Sequence, residues 1–431
     1  MLYKKKSLNK RRHWPQILVG LAVLMIAGAA LLQIPAIKSR LIWRVERSTT
    51  YFRVLFNPVD SMPTPNEEVA VSQVTGTTTP QPTQAVTATQ VEATAQPEPT
   101  RALSPTPTFT PTPLPETARL EAPPYELQDI NNCGPTTLAM FLSYYNWEGD
   151  QFTISDVIKP IPQDRNVNVE ELQYYTSNYV GYLRTDFRVG GTVERLKSFI
   201  AAGQPVMIEE GFLMAEYYWP DDDRWSGHYL LITGYNDVTQ TFTTQDSFVG
   251  PDRTVTYTDL EKTWQTFNHV YFFAYYPEQE ETIKAMLGDD WDADQNRQNA
   301  LDQSLALTES DPENPYPWFN LGSNYIYFGK YSEAVRAYDK AREIGIPQRM
   351  LRYQFGPFFA YFHSNRIDDL LAVTDYALKI TPNSEEALLW NGWALYRLNR
   401  RIEAMEQFQK AMDAHPGYLD AQYAMNYVVS N

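Results

Sequence analysis

The fold of this chain is decided by the stretch Gln128-Asp129-Ile130-Asn131-Asn132-Cys133-Gly134-Pro135-Thr136-Thr137-Leu138. Cys133 is the single cysteine among 431 residues, and it lies where a loop is expected to turn into a helix. Pro135 suits a first helical turn, where its missing N–H costs nothing. The N–H groups and dipole of a helix start favour a thiolate over a thiol, and the thiolate is the nucleophile. A buried structural cysteine is the alternative interpretation.

A cysteine nucleophile needs a base, and the chain offers five histidines. Three of them lie in the basic head or in the C-terminal helices, which leaves His228 and His269, each at the start of an apolar strand. A hairpin after His228 returns the chain to Asp246, which can orient an imidazole, whereas no acid follows His269 before the domain ends. We therefore predict His228 as the base and Asp246 as its partner. Gln128, upstream of Cys133, can donate to an oxyanion beside the sulfur.

Residues 121–279 are predicted to form one α+β domain. After the Cys133 helix, helical patterns cover 169–179 and 193–202, and Thr192 is a plausible N-cap of the second. Strand patterns follow at 205–210, 229–235, 241–244 and 270–276. Helices first and strands afterwards, with a hairpin, indicate an α+β fold.

This domain resembles the papain-like bacteriocin-processing peptidases, also called double-glycine leader peptidases. The motifs that carry the resemblance are Gln128, Asn132-Cys133-Gly134-Pro135, Gly227-His228-Tyr229 and Asp246-Ser247. The resemblance implies a cysteine peptidase with a triad of Cys133, His228 and Asp246 and an oxyanion donor at Gln128. The leader peptidases proper are fused to an ABC transporter, which this chain lacks, so the resemblance implies the reaction type and not the substrate.

The segment 217–225, Tyr-Tyr-Trp-Pro-Asp-Asp-Asp-Arg-Trp, directly precedes the His228 motif and is both aromatic and acidic. It is expected at the rim of the cleft, where it could select substrates with basic residues. A solvated acidic loop is the alternative.

The N-terminal segment differs in charge from the rest of the chain. The formal net charge is −16, to which residues 1–47 contribute +9, and this leaves −25 for an acidic body that argues against nucleic acid as a partner. The apolar run 17–37 is long enough to span a bilayer. We predict a basic cytoplasmic tail at 1–13 and a transmembrane helix at 14–37. A signal peptide cleaved at Ala27-Gly28-Ala29 is the alternative.

Two connecting segments follow. Residues 38–58 are predicted as a juxtamembrane stem, with an amphipathic helix on anionic lipid as the alternative. Residues 59–120 are rich in Pro and Thr, so they cannot bury a core and are predicted as a disordered stalk. This organisation places the chain in the cell membrane as a single-pass protein, with both later domains extracytoplasmic. One cysteine excludes a disulfide framework.

Residues 280–431 resemble tetratricopeptide repeats and are predicted to form an all-α module. Gly322, Ala334 and Tyr338 recur, 70 positions later, as Gly392, Ala404 and Phe408. A degenerate copy lies between them, so we expect about three 34-residue repeats and a lead-in helix. The module either binds a protein partner in a concave groove or braces the peptidase domain.

The sequence therefore predicts a membrane-anchored cysteine peptidase that hydrolyses peptide bonds without a metal or cofactor. Its expected partners are a peptide or protein substrate, the membrane and a protein bound by the repeats. The alternatives are another papain-like acyl-transfer enzyme, such as an amidase or transglutaminase, and an inactive scaffold. We also expect the repeats to dock on the peptidase domain rather than swing free, because no flexible linker separates them.

Overall fold

A computed structural model describes residues 14–31, 35–59, 62–65, 113–159, 161 and 166–430. The strands are β1 Thr117–Arg119, β2 Arg184–Arg188, β3 Val206–Leu213, β4 Trp225–Asn236, β5 Thr241–Asp246, β6 Gly250–Thr256 and β7 Tyr271–Tyr275. The helices that precede the repeats are α1 Trp14–Leu31, α2 Pro35–Phe56, α3 Cys133–Ser143, α4 Gln151–Ile158, α5 Val169–Tyr179, α6 Val193–Ala201, α7 Tyr257–Trp264 and α8 Glu280–Leu287.

The seven strands form one antiparallel sheet in the order β2-β7-β3-β4-β5-β6, and β1 pairs separately with β4. Alternate residues of the central strands face opposite sides, as the period of a strand requires. Met207 and Leu231 are opposite each other and join the core beneath α3, whereas Ile208 and Leu230 join the core beneath α6 and α7. Helices therefore cover both faces of the sheet, and the predicted α+β fold is confirmed.

Two boundaries of the domain are set by local contacts. The side chain of Thr192 accepts a hydrogen bond of 3.1 Å from the Arg195 N–H, so the predicted N-cap of α6 is confirmed. At the other boundary, β1 lies inside the range 59–120 that the sequence predicts as disordered. Thr117 pairs with Asn236, so the ordered domain begins before residue 121 because the edge of β4 supplies hydrogen-bond partners to this segment.

The C-terminal module consists of a lead-in helix, three helix pairs and a last helix. These are α9 Ala293–Ser310, α10 Pro315–Tyr327, α11 Tyr331–Ile344, α12 Gly356–His363, α13 Ile367–Ile380, α14 Glu385–Arg397, α15 Arg401–Ala414 and α16 Leu419–Ser430. A Cβ atom on Gly322 would lie 2.8 Å from the Tyr338 ring, and one on Gly392 would lie 2.4 Å from the Phe408 ring. The two matching glycine–aromatic contacts confirm the predicted repeat correspondence.

The repeat module is docked on the peptidase-like domain. Leu287 is fully buried in the core beneath α6 and α7. Asn296 of α9 bonds to the backbone of Val189, accepting from its N–H at 3.1 Å and donating to its carbonyl at 2.9 Å. Asn268 donates to Asn324 of α10 at 2.7 Å, and both side chains are buried. The structure therefore has the fixed, docked arrangement that the sequence predicts.

The N-terminal segment was predicted to contain a transmembrane helix at 14–37. Across the parts of the chain that the structure describes, no helix is at once long enough and apolar enough to cross a membrane. The predicted span is thus not supported; α1 ends at Leu31, and residues 32–34 lie outside the described ranges. The predicted basic tail at 1–13 and most of the predicted stalk, residues 66–112, also lie outside them.

The segment predicted as a stem is the helix α2, which contacts both domains. Thr50 and Val54 are buried. Arg53 donates to the Ile380 carbonyl of the repeat module at 3.2 Å, while Arg47 pairs with Glu216 of the peptidase-like domain. This helix therefore spans the junction between the two domains.

Candidate active site

The predicted nucleophile occupies the first position of α3. Asn131, two residues earlier, has a φ of 57° and turns the chain into the helix; asparagine is among the few residues that tolerate this left-handed conformation. The sulfur of Cys133 is hydrogen-bonded to the ring of His228, near the start of β4. The fold therefore brings together two residues that lie 95 positions apart in the sequence.

The second nitrogen of the imidazole meets the predicted orienting carboxylate. His228 Nε2 lies 2.9 Å from Asp246 Oδ1 at the end of β5, and both side chains are buried. Asp246 also accepts from the backbone N–H groups of Phe248 at 2.9 Å and Val249 at 3.0 Å. These contacts fix the carboxylate and leave Nδ1 of the ring to face the sulfur of Cys133.

Gln128 lies at the same cleft, and its orientation is set by two contacts with Ser247. The Gln128 N–H donates to the Ser247 carbonyl at 2.9 Å, and the Ser247 hydroxyl donates to Gln128 Oε1 at 2.8 Å. Because the amide oxygen is engaged, the NH₂ group is the end available to a ligand. Gln128, Cys133 and His228 all line one cleft of about 490 Å³.

The electrostatics of the pair favour a thiolate beside an imidazolium. Burial by itself would raise the pKa of the Cys133 thiol, but the hydrogen bond and charge of His228, helped by backbone hydrogen bonds at Tyr229 and Gly134, bring this pKa below its ordinary value. Burial would lower the pKa of His228, but its bonds to Asp246 and Cys133 outweigh burial and raise that pKa to about 10. Both shifts favour the ionised form of the pair.

Arg253 is a contributor to this site that the sequence analysis missed. Burial opposes ionisation of Asp246, yet the hydrogen bond and charge of His228 and the two backbone donors hold the pKa of Asp246 well below its usual range. Arg253 Nη1 adds an ion pair of 2.5 Å to the other carboxylate oxygen. Because β6 brings Arg253 across from β5, only the strand pairing could have identified it.

Gln151 of α4, also missed, holds the loop that carries the predicted nucleophile. Its side-chain oxygen accepts from the Asp129 N–H at 2.6 Å, from Asn132 Nδ2 at 3.1 Å and from Thr136 Oγ1 at 3.1 Å. Lys159 Nζ donates to Asn132 Oδ1 at 3.0 Å. One buried amide thus ties the residues on both sides of Cys133 to a neighbouring helix.

His269, the histidine that the sequence does not favour as the base, is not among the residues that line the cleft. Its Nε2 is 2.8 Å from Glu261 Oε1, and its ring packs edge-on against Trp264. No acid follows His269 before the domain ends, but Glu261 precedes it on α7. A second carboxyl group, Glu209, lies near Cys133, and burial raises its pKa well above the ordinary value, which favours its neutral form.

The acidic segment 217–225 lies at the cleft, as predicted, because Tyr218 and Trp219 line it, but its acidic side chains differ in their surroundings. Asp222 is buried and forms an ion pair of 2.6 Å with Arg349 of the repeat module. Asp223 accepts a hydrogen bond of 2.6 Å from the Gln348 N–H. The Asp222 carboxylate is therefore neither solvated nor available to a basic substrate residue, whereas Asp223 is exposed, as the alternative of a solvated loop predicts. Trp225 is the first residue of β4.

The comparisons with known proteins agree with this architecture. Residues 119–272 match the model of the family described as the Peptidase_C39 like family. The fold and the match together define a C39-like domain, here joined to tetratricopeptide-like repeats, and the resemblance inferred from the motifs is confirmed. No curated protein matches the chain. Among the described residues, no group of three His, Cys, Asp or Glu side chains could hold a metal ion.

Three solved structures are similar to parts of the chain. A C39-like peptidase from Bacillus anthracis is 18% identical, with a TM-score of 0.30, over 37% of this chain and 98% of that one. MamA from Desulfovibrio magneticus RS-1 is 16% identical, with a TM-score of 0.30, over 36% of this chain and 81% of that one. The first TPR domain of human RPAP3 is 19% identical, with a TM-score of 0.25, over 28% and 92%.

Proposed function

We propose that this chain is a cysteine peptidase that hydrolyses peptide bonds with Cys133 as nucleophile and His228 and Asp246 as its partners. The observation that carries the proposal is the position of His228, which contacts the Cys133 sulfur on one side and the Asp246 carboxylate on the other. A nucleophile, a base and an orienting group in this order are the requirement for covalent acyl transfer. The match to the C39-like family supports the same chemistry.

In the first half of the reaction, the thiolate of Cys133 attacks the carbonyl carbon of the scissile peptide bond. The carbonyl oxygen becomes an oxyanion, which the NH₂ group of Gln128 and the backbone N–H of Cys133 stabilise. His228 then gives its proton to the leaving nitrogen. The C–N bond breaks, the amine product departs and a thioester remains on Cys133.

In the second half, a water molecule attacks the thioester carbonyl while neutral His228 accepts a proton from it. The same donors stabilise the second oxyanion. When the C–S bond breaks, the peptide acid is released, and the ion pair of Cys133 and His228 is restored. Asp246 stays ionised throughout and holds the ring so that each proton moves along the same direction.

The reactive thiolate provides a direct test of this proposal. Alkylation of Cys133 by iodoacetamide is expected to remain fast at pH values below the ordinary pKa of a thiol, because the lowered pKa keeps the thiolate populated there. Removal of the ring in His228→Asn should slow alkylation at pH 7 by about 10-fold or more, as the thiol pKa returns toward about 8.5. Mass spectrometry of the alkylated peptide measures both rates.

His269→Asn is the matched control, since it removes a second buried histidine at a strand start without touching the cleft. It should leave the alkylation rate unchanged. Hydrolysis should be lost above about pH 10, where His228 loses the proton that the leaving group needs. A thiol that reacts at the same rate with and without His228 would contradict the proposed pair.

The oxyanion role of Gln128 gives a separate expectation. Gln128→Ala should lower kcat by about 10²–10³-fold and leave KM similar, because its hydrogen bond strengthens mainly in the transition state. Steady-state kinetics on one peptide substrate measures the two constants. Leu127→Ala, at the exposed neighbouring position, is the control that should retain the wild-type kcat. A fully active Gln128→Ala protein would remove this residue from the oxyanion hole.

Two further parts of the sequence prediction remain proposals. Both domains are proposed to be extracytoplasmic, on the basis of the basic and apolar N-terminal sequence. Recovery of the intact protein from the cytoplasmic fraction would contradict this location. The repeats are proposed to bind a protein partner, for which the rings of Phe359 and Phe362, which each contact the ring of Trp390, are a candidate surface. Partner capture that survives Phe359→Ala would exclude this surface.

A further inference from the structure

One wall of the cleft is the loop 214–224, which joins β3 to β4. Tyr218 and Trp219 of this loop line the cleft beside the proposed catalytic pair. Asp221 and Arg224 each have a φ of 61°, a left-handed conformation that residues with side chains disfavour. Such a backbone keeps a single conformation only when surrounding contacts determine it.

The main contact is an ion pair with the repeat module. The buried carboxylate of Asp222 accepts from the loop's own N–H groups at Tyr218 and Arg224, both at 2.8 Å. Arg349 completes its coordination with two parallel bonds, Nη1 to Oδ1 at 2.6 Å and Nη2 to Oδ2 at 2.7 Å. A bidentate pair of this kind specifies geometry as well as charge.

Arg349 also contacts the aromatic wall directly. Its guanidinium carbon lies 4.1 Å from the centre of the Trp219 ring and 5.5 Å from that of the Tyr218 ring. Arg349 is 2% exposed, so its charge is compensated by Asp222 and these rings and not by bulk water. The same side chain therefore holds both the backbone turn and the two rings that face the substrate.

A second contact from the same part of the repeat module lies at the other end of the loop. Tyr353 OH is 2.7 Å from Ser226 Oγ. A Cβ atom on Gly227 would lie 3.0 Å from the Tyr353 ring, so only glycine permits this approach. Gly227 immediately precedes His228, and Tyr353 itself lines the cleft.

These contacts account for the irregular middle repeat. Gly322 and Gly392 are separated by 70 residues, two more than two 34-residue periods. The irregularity is the link between α11 and α12, which contains a short 3-10 helix, Met350–Arg352, where most repeats have a tight turn. The link carries Arg349 and Tyr353 into the cleft of the neighbouring domain.

We propose that Arg349 of the repeat module is a positioning residue for substrate binding, which holds the Tyr218–Trp219 wall of the cleft through Asp222. The inference rests on the proposed function for the identity of the reaction. Asp246 and Gln128 are fixed by contacts within their own domain, so loss of Arg349 should loosen the wall and leave the catalytic groups in place. The repeat module is then a part of the substrate site and not only a binding arm.

The test compares variants of the full chain. Arg349→Gln should raise KM by about 10-fold or more and change kcat by less than about 3-fold, since a displaced wall weakens binding without removing a reacting group. Arg349→Lys should restore KM only in part, because lysine keeps the charge but cannot form two parallel bonds. Asp222→Asn combined with Arg349→Gln should perturb KM less than the two single effects together, which shows that the residues act as one unit.

Arg366→Gln separates this role from stability alone. Arg366 is also mostly buried and paired with two carboxylates, Asp339 and Asp369, but all three lie within the repeats and away from the cleft. The Arg366→Gln substitution should lower the melting temperature of the protein and leave its KM unchanged. If Arg349→Gln also lowers only the melting temperature, the inference is overturned. If Arg349→Gln does not fold, the double variant with Asp222→Asn, which buries no unpaired charge, takes its place.

A measurement without turnover distinguishes this inference from the proposed function. Absence of peptide hydrolysis by the unaltered protein would contradict the function alone. A peptidyl chloromethyl ketone must occupy the cleft before it labels Cys133, whereas iodoacetamide need not. Arg349→Gln should raise the half-saturating concentration of the peptidyl chloromethyl ketone about 10-fold and leave the rate of alkylation by iodoacetamide unchanged. Equal half-saturating concentrations for the variant and the unaltered protein would overturn the inference.

Discussion

Replacement of Cys133 by alanine is expected to reduce peptide hydrolysis to background, a loss of about 10⁴-fold or more. The sulfur is the only protein atom in the proposed mechanism that forms a covalent bond to the substrate, and the neighbouring groups cannot supply a thioester without it. Steady-state assays with a quenched fluorescent peptide measure the loss, and the appearance of free amine and acid products identifies hydrolysis rather than transfer to an amine.

The substitution should leave the fold intact, because Cys133 is only partly buried and the loop is held by Gln151 and Lys159. A melting temperature within about 2 °C of the unaltered protein is the control for folding. Cys133→Ser, which preserves size and polarity, should be similarly inactive because a hydroxyl beside His228 is a far weaker nucleophile. Undiminished hydrolysis by Cys133→Ala would exclude a thiol mechanism.

The most regular elements could be predicted from the sequence because their patterns are local. The helix α5 was predicted with its observed bounds, and α6 ends one residue before its predicted end, since caps and apolar spacing determine both. The central strand β4 could be predicted from the continuous apolar run 229–232, which is buried on both faces of the sheet. Its start at Trp225 could not, because residues 225–228 are extended by pairing with β3 and not by their own apolar character.

The elements that escaped prediction are those defined by their neighbours. Strands β2 and β6 lie at the two edges of the sheet and carry polar, partly exposed side chains, so neither has an apolar pattern. β1 is a three-residue strand in a Pro- and Thr-rich context, and it exists because β4 offers an unpaired edge. Such segments obtain their structure from tertiary contacts that a single sequence does not reveal.

The candidate site divides in the same way. Cys133, His228 and Asp246 could be proposed from the sequence, because the chain contains one thiol and few histidines that could act as its base. The supporting residues Gln151 and Arg253 belong to common residue types, and only the fold shows what they contact. The partnership of Asp222 with Arg349 crosses 127 positions and two domains, so nothing local could indicate it.

The proposed catalytic groups and part of the cleft lie in different segments of the chain. The segment that matches the C39-like family, residues 119–272, contains the proposed catalytic groups but lacks part of the cleft. Arg47 of α2 and Arg349 and Tyr353 of the repeat module also line it. We therefore expect the binding of substrate, more than the chemical step, to depend on residues outside that segment.

Asp246→Asn is expected to lower kcat by about 10⁴-fold while the protein remains folded. The carboxylate accepts bonds from His228 and from the N–H groups of Phe248 and Val249 on one oxygen, and from Arg253 on the other. An asparagine amide cannot accept hydrogen bonds from all of these donors. If its NH₂ group faces Arg253, two hydrogen-bond donors oppose each other. If its NH₂ group faces His228, Nε2 of the ring must be unprotonated to accept from it.

In the second case the ring keeps a proton only on the nitrogen that faces Cys133, so the imidazolium is no longer stabilised. The pKa of His228, which its bond to Asp246 raises to about 10, should then fall, and with it the alkaline limit of any residual activity. Above the new pKa the ring of His228 is neutral, so it has no proton to give to the leaving nitrogen. The pH dependence of kcat/KM for the variant measures this shift of the alkaline limb toward neutral pH.

Asp252→Asn is the matched control for this prediction. Asp252 lies in the neighbouring strand and also pairs with an arginine, Arg119 at 2.9 Å, but it is partly exposed and contacts neither His228 nor Cys133 in the contacts that the structure describes. Its kcat should stay within about 2-fold of the unaltered protein, because an exposed ion pair contributes little. If Asp246→Asn were equally active, or kept its alkaline limit near pH 10, the orienting role of Asp246 would be wrong. In that case the high pKa of His228 would have to arise from Cys133 alone.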